Sequence, residues 1–323
     1  MSKRYAIVSI GTNSTRALLA DVGPDQPRVE TARSTGTRIG EGLKEGGALN
    51  DEAMQRTLDA VTAHYRAIRG HYVRIFAVAT SALRRATNAE DFANRVQAIV
   101  GVPLRVLSGE EEAAASYRGA LTAFGTLRGE RVGVLDMGGG STEYAVGVSG
   151  TPESVVSCEI GAVRLSEEVP ALTGRDGNVD EASIARAREL ARAALAPLRD
   201  CAAVERIALV GGSATSAAAI ARERRLPAPA MPITRADLKR VLDMLVKMPL
   251  EERKAVVGMK AQRADILPAG IIVLDEALEI LGQDSVVATT ADLLLGILLQ
   301  ERDAGGQRSP ALARSETRRG FRK

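Results

Sequence analysis

The chain has 323 residues, 45% hydrophobic and 26% charged, with a formal net charge of +3, a balance that suits a soluble globular protein with room for two domains. No apolar run approaches the roughly 18 residues of a membrane span, and Cys158 and Cys201 are too few for a disulfide framework and lack metal-ligand spacing. No signal peptide precedes the first predicted strand, so a cytoplasmic protein with no membrane partner is expected.

Residues 4–36 read as strands that turn at Gly11 and Gly23-Pro24. Asp51–Arg69 predicts a helix capped by Asn50 or Asp51, with Ala53, Leu58, Val61, Tyr65 and Ile68 on one face. His64 and His71, near its end, read as surface residues. Val73–Ala79 predicts a buried strand, Ala89–Ile99 a helix capped by Asn88, Leu104–Leu107 a strand and Glu110–Phe124 a helix. Strands first, then alternating strand and helix, predict a mixed sheet flanked by helices. A junction near Gly125–Glu130 divides this first domain, 1–125, from a second, 126–302, that repeats the plan. There, strands fill 131–160 and a helix runs from about Glu181 to Leu198. Ile207–Val210 is a strand that enters Gly211-Gly212-Ser213-Ala214-Thr215 and another helix. A loop at Leu226–Pro229 and helices to about Gly282 follow, then a strand at Ser285–Ala288 and a helix at Ala291–Arg302. From Asp303 onward six basic residues against two acids give +4, leaving −1 for the rest, so 303–323 reads as a disordered basic tail. With four Phe and no Trp to stack bases, no specific nucleic acid is expected.

The segment Val132-Gly133-Val134-Leu135-Asp136-Met137-Gly138-Gly139-Gly140-Ser141-Thr142-Glu143 carries the strongest chemical signal. Its glycines let backbone N–H groups approach an anion. Ser141 and Thr142 can donate to phosphate oxygens, and Asp136 and Glu143 offer hard oxygens to Mg2+. A plain hairpin turn is the competing reading. An echo lies near the N-terminus, where Ser9-Ile10-Gly11-Thr12-Asn13-Ser14-Thr15-Arg16 places Ser9 under Asp136, Gly11 under Gly138 and Ser14-Thr15 under Ser141-Thr142. Strand, Gly/Ser/Thr turn, strand recurs after 127 residues, which predicts a duplicated domain.

Several separated blocks resemble the exopolyphosphatase / guanosine pentaphosphate phosphatase (Ppx/GppA) family. They are Gly11-Thr12-Asn13-Ser14; Ala79-Thr80-Ser81-Ala82-Leu83-Arg84-Arg85-Ala86-Thr87-Asn88; Ser108-Gly109-Glu110-Glu111-Glu112-Ala113; Asp136–Glu143; Gly161-Ala162-Val163-Arg164-Leu165; Gly211–Thr215; and Arg263–Gly270. The resemblance implies an α/β protein of two actin-like (ribonuclease H-like) domains. Each would be a mixed five-stranded-type sheet flanked by helices, with a cleft between the two and the last helix packed back on the first domain. It implies a Mg2+-dependent hydrolase that releases terminal phosphate from inorganic polyphosphate or from pppGpp. In that picture Glu112 activates water and Arg84 neutralises phosphoryl oxygens. Gly11, Thr12, Asn13, Ser14, Gly138, Gly139, Gly140, Ser141, Thr142, Gly212, Ser213 and Thr215 bind phosphate, while Asp136 and Glu143 hold Mg2+.

The chain also departs from that family's pattern. Ser9 stands where an acid is usual, Ala230-Met231-Pro232 replaces a His-Gly, and Asp292 and Leu294 replace a glycine and an arginine. Asp292 either repels substrate or caps the last helix. These changes leave open a catalytically impaired sensor of polyphosphate or alarmone. An ATP-dependent kinase of the same superfold is a third reading, and homodimerisation stays open.

Overall fold

The computed structural model describes residues 3–23, 26–44, 46–124, 129–175, 177–225 and 228–307. The first half runs β1 (Arg4–Ile10), β2 (Ser14–Asp21), β3 (Arg28–Gly36), α1 (Asp51–Ile68), β4 (Arg74–Ala79), α2 (Ser81–Arg85), α3 (Ala89–Val100), β5 (Leu104–Val106) and α4 (Gly109–Leu121). The second runs β6 (Val132–Met137), β7 (Thr142–Gly147), β8 (Ser154–Cys158), α5 (Ala162–Glu168), α6 (Glu181–Ala194), β9 (Arg206–Val210) and α7 (Gly212–Ala221). It continues through β10 (Ala230–Thr234), α8 (Arg235–Val246), α9 (Leu250–Lys254), α10 (Leu267–Ile280), β11 (Ser285–Thr289) and α11 (Leu293–Gln307).

Duplication is plain in the strand order. One sheet reads β3-β2-β1-β4-β5 and the other β10-β11-β9-β6-β7-β8. In both, an antiparallel meander (β1–β3, β6–β8) is extended by parallel strands from its first member. The two hairpin turns close alike, Gly11 N donating to Ser14 O and Gly138 N to Ser141 O, both at 3.0 Å. Register places Ser9 opposite Arg16 in one hairpin and Asp136 opposite Glu143 in the other.

β1, β2, β6 and β7 are buried almost throughout, because each sheet is covered on both faces. Leu58 and Val61 of α1 and Phe92 and Val96 of α3 pack on one face of the first sheet. Helices α5–α8 and α10 cover one face of the second. The remaining faces are covered by exchange. Helix α4 leaves the first half and sets Ala113, Tyr117 and Ala120 against Val134, Ala145 and Ala208 of the second sheet. Helix α11 returns from the second half and lays Leu294, Ile297 and Leu298 on Ile7 and Leu18 of the first.

Some expectations from sequence need correction. The second sheet has six strands rather than five: β10 spans a segment with Pro232, which an edge strand tolerates because its outer N–H has no ladder partner. Helix α6 stops at Ala194, ahead of Pro197, and α11 continues to Gln307, past the expected start of the disordered tail at Asp303. Asp303 pairs with Arg118 at 2.9 Å. Asn50 does cap α1, accepting from Glu52 N at 2.8 Å. Asn88 precedes α3 but bridges Leu49 N and O instead of capping. His64 is buried rather than at the surface, and its Nε2 meets Thr35 Oγ1 at 3.2 Å between α1 and β3. Residues 125–128 of the expected junction and 308–323 of the tail lie outside the described residues.

Where α4 and α11 cross, a Cβ on Gly119 would overlap the Asp292 carbonyl, and one on Gly296 the Ala115 carbonyl. Backbone meets backbone, so neither position can take a side chain without spreading the pair. Gly119→Ala and Gly296→Ala should each lower unfolding free energy by about 1–3 kcal/mol, read from urea denaturation; an unshifted midpoint in both would refute this tight crossing.

Candidate active site

The two hairpin turns face each other across a cavity of about 630 Å³ between the sheets. They nearly touch. A Cβ on Gly139 would lie 3.2 Å from Asn13 Cβ, and one on Gly140 2.9 Å from Thr12 Oγ1 and 2.8 Å from Ser81 Oγ. Glycine is what permits that approach. Helix α5 braces the second turn, because Ala162 N donates to Gly138 O at 3.1 Å and Val163 N to Gly139 O at 2.9 Å. The Gly161–Leu165 block is thus a support. The third loop turns at Gly211, whose φ of +104° only glycine adopts without strain, and α7 starts beside it.

Of the residues expected to bind phosphate, Gly11, Thr12, Asn13, Ser14, Gly138, Gly139, Gly140, Ser141, Gly212 and Thr215 line this cavity. Both polar ends of buried Asn13 lack a partner within the protein, as does Ser81 Oγ, so they remain available to a ligand. Two residues fall elsewhere. Thr142 donates its hydroxyl to Ile160 O, and Ser213 is buried against Gly270 of α10. Strand and helix periodicity turn both away from the turns they adjoin. Thr215 reaches the cavity, but its Oγ1 donates back to Gly211 O at 3.1 Å.

The three acids converge. At the start of α4, Ser108 and Glu111 form a reciprocal cap: Glu111 N donates to Ser108 Oγ, and Ser108 N to Glu111 Oε2. Capping therefore uses Glu111 and leaves Glu112 free to turn inward, 7% exposed. Burial pushes the Glu112 carboxyl up to about 7, against the pull of Arg84, with Asp136 adding to the rise. Asp136 ends β6 and accepts a hydrogen bond from Ser116 Oγ. Desolvation lifts it to about 6, and Asp292 adds to the rise. Glu143 lies buried on β7 and accepts from Ser157 Oγ at 3.0 Å. Burial, then repulsion from Glu112 and Asp136, hold it well above the usual carboxylate range.

Asp136 and Glu143 fit Mg2+. Among the described residues no group of three His, Cys, Asp or Glu side chains could hold a metal alone. Mg2+, however, uses one or two carboxylates and completes its shell with water and substrate phosphate. A cation there would also relieve the repulsion around Glu143.

Arg84 is not on the cavity wall. It lies behind Glu112, pairing with that carboxylate and donating from Nη1 to Leu107 O at 2.8 Å. Its other terminal nitrogen is buried and finds no partner within the protein. The cations that do line the cavity are Arg16, Arg33, Lys260 and Arg263. Arg263 spreads its guanidinium over Gly212, and its Nε finds no partner. Burial and the nearby Arg263 and Arg16 hold Lys260 below its ordinary value. Lys260 carries no local sequence signal. Arg263 opens a recognisable block, but only the fold brings it to the third loop. Asp292 caps the last helix, its Oδ1 accepting from Leu294 N at 3.0 Å, and its Oδ2 pairs with Arg16 in the cavity.

Paired mixed sheets, each opening on a glycine-turn hairpin and facing one cavity, define an actin-like α/β protein. The sequence profile described as the Ppx/GppA phosphatase family matches residues 20–303. Exopolyphosphatase 2 of Mycobacterium tuberculosis is 34% identical over 317 residues, covering 92% of this chain and 98% of that protein. A guanosine-5'-triphosphate,3'-diphosphate pyrophosphatase of Vibrio atlanticus is 30% identical, covering 93% of this chain but 59% of that protein. The crystal structure of the Aquifex aeolicus Ppx/GppA family member is 28% identical with a TM-score of 0.77, covering 94% and 99%. An exopolyphosphatase-like protein reaches a TM-score of 0.85 at 26% identity, covering 94% and 99%. The chain belongs to the Ppx/GppA phosphatase family.

The acid cluster sets a testable pH dependence. Groups whose folded values are raised bind protons more tightly folded than unfolded, so stability is greatest when they are protonated and falls as pH rises. The window runs from the ordinary carboxylate value of about 4 to about 6 for Asp136 and about 7 for Glu112. In chelator, the melting temperature should fall across that window. Glu143→Gln should raise it at neutral pH by several degrees and flatten the decline, whereas an equal or lower melting temperature would show that the carboxylates do not strain the fold.

Proposed function

We propose that this protein is a Mg2+-dependent exopolyphosphatase that releases terminal phosphate from inorganic polyphosphate in the cytoplasm. One observation carries the reading. Glu112 is held at the cavity wall by a cap that uses its neighbour, with its carboxyl near 7, where a general base works best at neutral pH. In this mechanism the two hairpin turns and the third loop seat the terminal phosphoryl groups. Glu112 takes a proton from water as the water oxygen bonds to the terminal phosphorus. The bond from that phosphorus to the bridging oxygen breaks, and the shortened chain leaves with the electron pair. Arg84 keeps enough of Glu112 ionised to accept the proton. Mg2+, held by Asp136 and Glu143, would neutralise phosphate oxygens.

Inorganic polyphosphate is favoured over pppGpp by the lining: among the described residues no aromatic ring borders the cavity, and stacking is the general means of gripping a base. The full-length match to an exopolyphosphatase supports the same choice. The pppGpp 5′-phosphatase is the alternative, and Asp292 in the cavity favours a third, a binding protein with weak turnover.

The test is phosphate release from polyphosphate and from pppGpp with Mg2+. Glu112→Gln should lower kcat by at least about 10²-fold, and Glu143→Gln should raise the Mg2+ concentration needed. The wild-type rate should rise with pH through a midpoint near 7. In Arg84→Gln that midpoint should move upward, because the cation that favours ionised Glu112 is gone. Equal rates in wild type and Glu112→Gln would refute the mechanism, and faster release from pppGpp would reverse the substrate assignment.

A further inference from the structure

We propose that Asp292 is a specificity-determining residue: its carboxylate competes with substrate phosphate for Arg16, so the cavity retains polyanions and releases orthophosphate. The inference rests on the polyphosphate reading of this cavity and names what sets its discrimination.

Position comes first. Arg16 on β2 faces Ser9 across the first hairpin, as Glu143 faces Asp136 across the second. Where the second hairpin presents a carboxylate to the cavity, the first presents a guanidinium. That side chain is one-third exposed and lines the cavity. A guanidinium there matches phosphate or carboxylate oxygens equally well.

Asp292 occupies Arg16 from a fixed seat. Its Oδ1 accepts from Leu294 N at 3.0 Å, and its main-chain carbonyl accepts from Gly296 N at 3.0 Å. The same carbonyl rests on Gly119 of α4, with no room for a Cβ between them. Helix capping and the α4–α11 crossing therefore hold the carboxylate in place, and its second oxygen meets Arg16. The residue is 7% exposed, while its partner Arg16 keeps one-third of its side chain open to the cavity and solvent.

Charge supplies the consequence. Beyond the effect of burial, Arg263 and Arg16 lower the proton affinity of Lys260, and Arg16 lowers that of Arg263. Asp292 pairs with Arg16, acts against the lowering at Lys260, and adds to the rise at Asp136. A phosphate oxygen that takes Arg16 must displace this carboxylate and meets its repulsion at short range. A chain with several phosphates recovers the loss through Lys260 and Arg263. Orthophosphate, bearing about two charges and reaching one subsite, does not.

The experiment is calorimetric titration of the full chain with tripolyphosphate and with orthophosphate, in Mg2+ at fixed ionic strength, with Glu112→Gln in every protein compared, the otherwise wild-type one included, so that tripolyphosphate is bound but not hydrolysed. Asp292→Asn and Asp292→Ser remove the charge but keep a side-chain acceptor for Leu294 N, and a melting temperature close to wild type verifies that α11 still docks. Both variants should bind orthophosphate about tenfold tighter and tripolyphosphate less than threefold tighter, so the ratio of the two affinities narrows. The gain should vanish when Arg16→Gln is added, because the competition is for that guanidinium. Wild type that binds tripolyphosphate with unchanged affinities in both Asp292 variants overturns this inference alone. A gain that persists without Arg16 also overturns it, by assigning the effect to Asp136. Wild type that binds neither anion overturns the polyphosphate reading together with this one.

Discussion

Burial of three neighbouring carboxylates, Glu112, Asp136 and Glu143, is the constraint around which the site is built. Each would be more stable in water, and each is held out of it. The fold spends specific partners to keep them there. Arg84 faces Glu112, Ser116 donates to Asp136 and Ser157 to Glu143. Each partner comes from an element other than the one that carries its acid: Arg84 from α2, Ser116 from α4 and Ser157 from β8. The cluster thus assembles only when α4 lies on the second sheet. A site of this kind stores electrostatic free energy, which a bound cation would release.

The same dependence explains the helix exchange. Glu112 belongs to the first half of the chain, yet its neighbours Asp136 and Glu143 belong to the second. Helix α4 crosses to the second sheet and α11 crosses back, and the glycine contact at Gly119 and Gly296 fixes their spacing. Apolar packing along these two helices therefore sets how Glu112 lies against Asp136 and Glu143. Stability and the geometry of the acid cluster are coupled through one crossing.

Much of this was legible in the sequence, for identifiable reasons. The hairpin turns were readable because close backbone approach demands glycine, and the demand recurs at equivalent positions in two copies. The inward turn of Glu112 was readable only by resemblance, since an acid in a first helical turn has an electrostatic reason to be there anyway. Thr142 and Ser213 were misplaced because a motif spans residues that alternate between faces, so adjacency in sequence does not give a shared direction. Arg84 was assigned to phosphate because its sequence context cannot show that the carboxylate of Glu112 reaches it first. Lys260 and Arg263 arrive from a segment remote from every turn; no local pattern announces Lys260, and the block that Arg263 opens does not show that it reaches the third loop. Pro232 concealed β10, although an edge strand is where proline in a sheet does least harm.

Orphaned polar atoms show how the two hairpins divide their work. Buried groups elsewhere are drawn into internal bonds; Arg253, wholly buried, donates to the carbonyls of Leu245, Met248 and Leu172. It still keeps one Nη without a partner, as Tyr117 and Tyr144 keep their hydroxyls, so an orphan by itself is not a site. At the cavity the orphans are both ends of the Asn13 amide, Ser81 Oγ and Arg263 Nε, all on residues that line it. The Asn13 amide N–H, the serine hydroxyl and the guanidinium N–H can donate, and Asp136 and Glu143 line the same cavity from the second hairpin. Donors on one side and carboxylates on the other suit a bridging partner with anionic oxygens for the first and a cation for the second. The duplicated hairpin has thus diverged in charge while keeping its geometry. Arg16 in place of an acid opposite Ser9 gives the first copy a cation, and Asp136 with Glu143 gives the second a pair of carboxylates.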